Sequence, residues 1–178
     1  MLNKLLPFLL LSLSLVSFGQ GNEEELINWN DEKKLTWADY KGNAKPGTDA
    51  AASTATYLGI EYNFNSQGFG YKITCSFSKT KSWGLHKTDY ILAHEQGHFD
   101  IAEIFARKLN LKMSAYKFNK NSFKTDLKKI YETITSEKEE MQNSYDSETN
   151  HSIHKEKQKE WLKKIQKMLA EYDFYNNY

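Results

Sequence analysis

Thr54-Ala-Thr56-Tyr-Leu58-Gly-Ile60-Glu-Tyr62 is followed by the turn Asn65-Ser-Gln-Gly68 and then by Tyr71-Lys-Ile73-Thr-Cys75-Ser-Phe77; from Thr88 the pattern changes, and Leu92, Phe99, Ala102, Ala106 and Leu109 recur at helical spacing. Alternation with period two predicts two half-buried strands, and the intervening turn closes them into an antiparallel hairpin. The change of period at Thr88 predicts a helix capped by Thr88 or Asp89 and running to about Leu109. Two further amphipathic helices follow. One carries Leu127, Ile130, Tyr131, Ile134 and Met141, and its pattern breaks or restarts over Ser144 to Asn150. The other carries His154, Gln158, Trp161, Leu162, Ile165, Met168, Leu169 and Tyr172. Strands followed by segregated helices predict an α+β domain. Upstream, the spacing of Trp29, Leu35 and Trp37 predicts one or two short strands, Gly42 to Gly47 a loop, and Asp173 to Tyr178 a frayed tail.

Residues 1–19 stand apart from this domain. Met1 to Lys4 is a short basic start, Leu5 to Val16 an apolar run, and Ser17-Phe18-Gly19 places small residues two apart. That order reads as a secretory signal peptide cleaved after Gly19. The apolar run is nearer twelve residues than the roughly 20 needed to span a bilayer. Export to the periplasm or beyond is expected, leaving residues 20–178 as a single domain. The formal net charge of +1 gives no field that would draw a nucleic acid. The lone Cys75 has no partner for an internal disulfide and lies in a strand pattern, so a buried small side chain is expected there.

His94-Glu95-Gln96-Gly97-His98 carries the chemistry. Residues four apart share one helix face, so both imidazoles can converge on one zinc ion through neutral ring nitrogens. Glu95 projects beside that ion, where a carboxylate can take a proton from the attacking water. Ile91, Leu92, Ala93 and Phe99 flank the motif, which puts both rings on a partly buried helix. Gly97 costs roughly 1 kcal/mol of helix propensity against Ala, and its presence in mid-helix predicts that something packs closely there. An open catalytic site needs a third protein donor. Asp100 and Glu103 lie on the far side of the same helix and suit at most a supporting role. The remaining dense group of metal-competent residues is Asp146, Glu148, His151 and His154. The two carboxylates also fit a helix N-terminus, and the choice between the two histidines stays open on the residues alone.

At this point the chain resembles the family of predicted secreted bacterial zinc-dependent proteases catalogued as domain of unknown function 922. The likeness rests on Leu35-Thr-Trp37-Ala-Asp39-Tyr40-Lys-Gly42, on Ala52-Ser-Thr54-Ala-Thr56, on His94 through Glu103 with Ala106-Arg107, and on Tyr145-Asp146-Ser-Glu148-Thr149-Asn-His151 with Gln158-Lys-Glu-Trp161. The resemblance implies His151 as the third ligand, since the family's histidine follows the threonine by two. Where that family tends to carry Gly next, this chain has Ser152.

Other residues have plainer readings. The four tryptophans suit packing better than a carbohydrate surface, Tyr145 suits packing better than oxyanion binding, and His86 suits an exposed link. Together these readings predict a small antiparallel sheet packed against a helical part that carries a zincin-like active-site helix. The expected protein is a monomeric zinc-dependent peptidase with metal ligands His94, His98 and His151 and with Glu95 as general base. Its substrate would be a peptide or protein, cell-wall peptide included, with no nucleic-acid partner and no membrane partner for the processed chain. The rival expectations are a zinc-dependent amidase of cell-wall peptides and a non-catalytic envelope-binding module.

Overall fold

The computed structural model describes residues 24–44, 46–65 and 68–178; the expected signal peptide lies outside them. The hairpin read from the sequence is the frame of the molecule. Strand β3 (Thr56–Asn65) pairs antiparallel with β4 (Gly68–Ser78), in a register that sets Thr56 opposite Phe77, Leu58 opposite Cys75 and Ile60 opposite Ile73. A short strand β1 (Leu26–Asn28) adds to the other edge of β4, giving the order β1-β4-β3. Because side chains alternate across a strand, Ile73, Cys75 and Phe77 all fall on one face of β4. Each is almost wholly buried there.

That face is covered by α1 (Asp89–Ser114), whose Phe99, Ala102, Ala106 and Leu109 belong to the same core. Thr88 is its N-cap, with its hydroxyl oxygen accepting from the Ile91 amide at 3.2 Å. The helix outlasts the expected end at Leu109, and Met113 is buried in its last turn. Helices α2 (Phe123–Thr149) and α3 (Lys155–Glu171) pack on α1 and on each other. The outcome is an α+β fold in which a small antiparallel sheet lies against helices.

Three expectations need correction. Residues 37–39 form a single 3-10 turn and no strand. The Thr36 amide and hydroxyl both donate to Asp39 Oδ2, at 2.9 and 2.8 Å, and that local bond competes with strand pairing. The chain then returns to the sheet through the Lys41 and Gly42 amides, which donate to the carbonyls of Lys79 and Ser82. A Cβ on Gly42 would sit 2.7 Å from the Thr80 carbonyl oxygen, so the close approach requires glycine.

The second correction concerns α2, which neither breaks nor restarts at Ser144. The Ser144 hydroxyl donates to the Glu140 carbonyl at 2.8 Å and the Thr149 hydroxyl to the Tyr145 carbonyl at 2.7 Å. The hydroxyls that lowered the apparent helix propensity bond back one turn instead. The helix ends only at Asn150, in the left-handed conformation with φ 49°. The third correction is the C-terminus. A 3-10 turn at Asp173–Tyr175 docks on α1, where Asn110 Nδ2 donates to the Tyr175 carbonyl at 3.0 Å and the Tyr178 hydroxyl bonds Glu103.

A two-stranded antiparallel ribbon of β2 (Ala52–Ser53) and β5 (Trp83–Gly84) completes the architecture beside the first turns of α1. No helix among the described residues is long and apolar enough to cross a membrane.

Candidate metal centre

His94, Glu95 and His98 all lie in the second and third turns of α1. His94 and Glu95 are buried, at 3% and 4% exposure, in a sequence position flanked by apolar residues. The helix turns both imidazoles toward the last turns of α2, as the four-residue spacing requires. Their Nε2 atoms lie 3.3 Å apart, and Asp146 Oδ1 stands 3.2 Å from His94 Nε2 and 3.1 Å from His98 Nε2. A tetrahedral ion with donors about 2.0–2.1 Å away has donor–donor edges of about 3.3 Å. The three atoms therefore already form one face of such a tetrahedron. The donor set of two imidazoles and one carboxylate suits a divalent ion of the zinc type.

The structure brings together two of the three expected ligands, His94 and His98. The third donor at this apex is Asp146, and His151 stands beside it. The His151 side chain is 74% exposed, with Nδ1 3.6 Å from Asp146 Oδ1. The cause is local backbone. Asn150, His151 and Ser152 take positive φ values of 49°, 50° and 73° in succession, which carries His151 outward onto the rim of the cleft. Ser152 thus occupies a left-handed position where Gly would be unstrained. Its carbonyl is held by the Tyr90 hydroxyl at 2.7 Å. His154, the other open alternative, is exposed at the start of α3, and His86 is exposed on its link.

Gln142, which sequence reasoning did not single out, and Tyr145, expected to pack, fix the site. Gln142, one turn before Asp146 on α2, clamps His98 from two sides. Its Nε2 donates to the His98 carbonyl at 2.9 Å, and its Oε1 accepts from His98 Nδ1. With the proton on Nδ1, the lone pair of His98 Nε2 faces the cluster, the arrangement an outer hydrogen bond imposes on a ligating histidine. His94 Nδ1 has no such partner; it is buried without a hydrogen bond. The Tyr145 ring, stacked at 4.4 Å between centroids, holds the His94 imidazole instead. Tyr145 is wholly buried, and its hydroxyl donates to the His94 carbonyl at 3.3 Å, so it packs and positions. Asp100 and Glu103 face away from the centre, toward Trp29 and Gln96 and toward Arg107 respectively.

Thr54 reaches the centre from the sheet side. Its hydroxyl donates to Glu95 Oε2 at 2.6 Å, and the Tyr40 hydroxyl lies 2.9 Å from the same Thr54 oxygen. An ionised carboxylate accepts only, so the single Thr54 proton goes to Glu95 and Tyr40 is the donor to Thr54. A directed chain Tyr40 → Thr54 → Glu95 therefore fixes one carboxylate oxygen and leaves Oε1 to the cleft.

Electrostatics follow from the same contacts. Burial lowers the His94 pKa, and it remains the dominant influence over the opposing contact with Asp146. Burial also pulls His98 down, but Asp146 and Glu95 outweigh it and the ring is pushed above its ordinary value. Burial would raise Asp146, yet the two imidazoles hold its carboxyl far below the usual carboxylate range. Of the two imidazoles, His98 thus holds a proton more tightly than His94, so cation uptake at this cluster depends on pH.

Gly97 explains itself here. A Cβ at this position would lie 2.6 Å from Tyr145 Oη and 2.9 Å from Cε1. Tyr145 is wholly buried, with its ring against His94, His98 and Trp161, so moving it disturbs the cluster. Gly97→Ala is therefore expected to destabilise the fold by about 1–3 kcal/mol, despite the roughly 1 kcal/mol that Ala gains in helix propensity. Thermal unfolding checks it: the midpoint should fall by several degrees, and an unchanged or higher Tm would mean that the Tyr145 contact is loose.

The centre opens into a cleft of about 610 Å³ whose lining includes Thr48, Ala50 through Thr56, Glu95, Asn143 and His151. Neither the curated proteins nor the solved structures contain a match to the chain. A family model described as "Bacterial protein of unknown function (DUF922)" matches residues 32–152. That span holds the 3-10 turn at residues 37–39, the sheet strands from β2 onward, the whole of α1 and α2, and all three residues of the candidate metal cluster. The chain belongs to this DUF922 family.

Proposed function

We propose that the protein is an exported zinc-dependent peptidase built on a zincin-like helix, with His94, His98 and Asp146 as metal donors and Glu95 as general base. The observation that carries this reading is the convergence of three donor atoms 3.1–3.3 Å apart, with an anchored carboxylate on the same helix turn. A zinc ion there would supply Lewis acidity, bringing the pKa of a coordinated water toward about 7 and polarising a substrate carbonyl.

The chain's own residues do the rest. Glu95 Oε1, left free by the Thr54 bond, accepts the proton of the attacking water and then delivers it to the leaving amine. Gln142 and Tyr145 keep the two imidazoles from rotating. His151, exposed on the rim, donates to the carbonyl oxygen as it gains negative charge.

The cleft wall supports a peptide as substrate. Ala51 accepts through its carbonyl from the Leu85 and His86 amides, and Ala55 is engaged with Ser82 and Ser78. Strand alternation turns the main-chain groups of Ala52 the other way, away from β5. Small side chains at Ala50, Ala51, Ala52, Ser53 and Ala55 leave that main chain approachable, which suits an extended backbone laid alongside.

The test is a zinc-loaded protein offered casein-like unfolded polypeptide and, separately, cell-wall stem peptides. Cleavage of the polypeptide at internal bonds is expected, and it should stop when a chelator removes the metal. Turnover of stem peptides alone would replace this reading with the cell-wall amidase. A loaded protein that cleaves neither would support a binding module.

A further inference from the structure

The end of the molecule remote from the metal centre carries a surface that catalysis does not use. The closing end of the β3–β4 hairpin meets the corner between α1 and α2. Phe64 and Phe69 from the strands and Phe118 and Phe123 from the corner form one cluster, with ring centroids 5.1–5.7 Å apart. Tyr62 extends it, 6.4 Å from Phe64. These rings are not a core: Tyr62, Phe64 and Phe118 are 47%, 49% and 43% exposed. Two segments distant in sequence thus present contiguous aromatic surface to solvent, which an isolated exposed ring would not.

The charge along the corner beside the rings is predominantly positive. Residues 112–129 contain Lys112, Lys117, Lys120, Lys124, Lys128 and Lys129 against a single acid, Asp126, in a chain whose total formal charge is +1. Asp126 is occupied within the corner, where its Oδ2 accepts from the Tyr116 and Ser122 hydroxyls at 3.1 and 2.7 Å. Lys128 lies 3.7 Å from Glu132, while the other five lysines make no ion pair among the described residues.

We infer that this end is a peripheral docking surface for an anionic lipid bilayer. Exposed Phe and Tyr rings enter the zone between headgroup and acyl chain, and lysines lay their alkyl stems along the apolar layer while their ammonium groups meet lipid phosphates. A second copy fits poorly, because docking two such ends would oppose lysine against lysine. The geometry also gives the docking a consequence. Gln96 and Ser114 are 18 residues apart on α1, about 27 Å at the helical rise. A protein standing on this end with α1 upright holds its cleft at most about that far above the lipid. This interaction is peripheral, and it departs from the sequence expectation of no membrane partner for the processed chain, which rested on hydropathy alone.

The experiment is co-sedimentation of the purified protein with vesicles of mixed phosphatidylglycerol and phosphatidylcholine, against pure phosphatidylcholine vesicles. Binding to the anionic vesicles should exceed binding to the neutral ones by tenfold or more, and salt on the order of 0.5 M should weaken it. The triple variant Lys117→Glu, Lys120→Glu and Lys124→Glu should lose about a hundredfold, at about fivefold per lysine. The pair Phe64→Ser and Phe118→Ser, at exposed positions that leave the core intact, should lose binding at unchanged circular dichroism and metal content. Equal binding to neutral vesicles, or variants that bind like the parent, would overturn the inference. So would a dimer that dissociates in the Phe64→Ser, Phe118→Ser variant while vesicles are ignored. None of these readouts depends on hydrolysis, so the inference stands or falls apart from the proposed peptidase activity.

Discussion

On the proposed reading, Glu95→Gln is expected to lower hydrolytic turnover by about a thousandfold or more, the size expected when a positioned general base is removed, while metal uptake stays close to that of the parent. Glu95 is buried, and its Oε2 accepts from the Thr54 hydroxyl at 2.6 Å. The Gln amide oxygen accepts the same bond in nearly the same volume, so the side chain keeps its place and the fold is undisturbed. What disappears is a group able to take a proton. The metal donors are untouched, because Glu95 is absent from the His94, His98 and Asp146 cluster. Steady-state turnover and metal content measured on the same sample check both halves. A variant of full activity would move the base elsewhere, and a variant that lost its metal would make Glu95 a ligand.

The second large effect separates Asp146 from His151. Asp146→Ala is expected to weaken metal binding by more than about a hundredfold, beyond the 10–100-fold typical of losing an outer partner. Asp146 Oδ1 is within 3.2 Å of both imidazole nitrogens, so its removal opens the apex of the donor triangle. His151→Ala should change affinity by less than about threefold but reduce turnover by about 100–1,000-fold, the cost of losing a donor to the developing oxyanion. Competition with a chromophoric chelator gives the affinities, and turnover is read on loaded protein. The reverse pattern, with affinity lost at His151 and kept at Asp146, would restore His151 as third ligand and require the rim to fold inward.

How much of this is legible in the sequence follows from where periodicity is strong. The alternation through Leu58, Ile60, Ile73, Cys75 and Phe77 gives the hairpin and its buried face, and the helical spacing after Thr88 gives α1. The tight packing expected at Gly97 is present, as the contact with Tyr145. Asp146 was named among the metal-competent residues, but local composition hid its place beside His94 and His98. Ser144, Ser147, Thr149 and Asn150 read as a helix boundary, so Asp146 reads as a carboxylate at a helix start. The better signal was the stripe Gln142, Tyr145, Asp146 and Thr149, at i, i+3, i+4 and i+7 on one helical face. Three of these four side chains touch His94 or His98. Thr54 gave no such signal. Its contact with Glu95 spans 41 residues and depends on how β2 and β3 lie beside α1, which no local pattern encodes. The tail reads as frayed because Asp173 to Tyr178 lacks periodicity, and it is ordered by partners on α1 that are distant in sequence.

The most direct test is the metal environment itself, observed by X-ray absorption at the zinc edge on the loaded protein and by diffraction from crystals of the same sample. The account predicts two histidine nitrogens and one Asp146 oxygen at about 2.0–2.2 Å, with solvent in the remaining position. An ion bound elsewhere, His94 and His98 rings turned into different environments, or four protein donors with no solvent at the metal would contradict it.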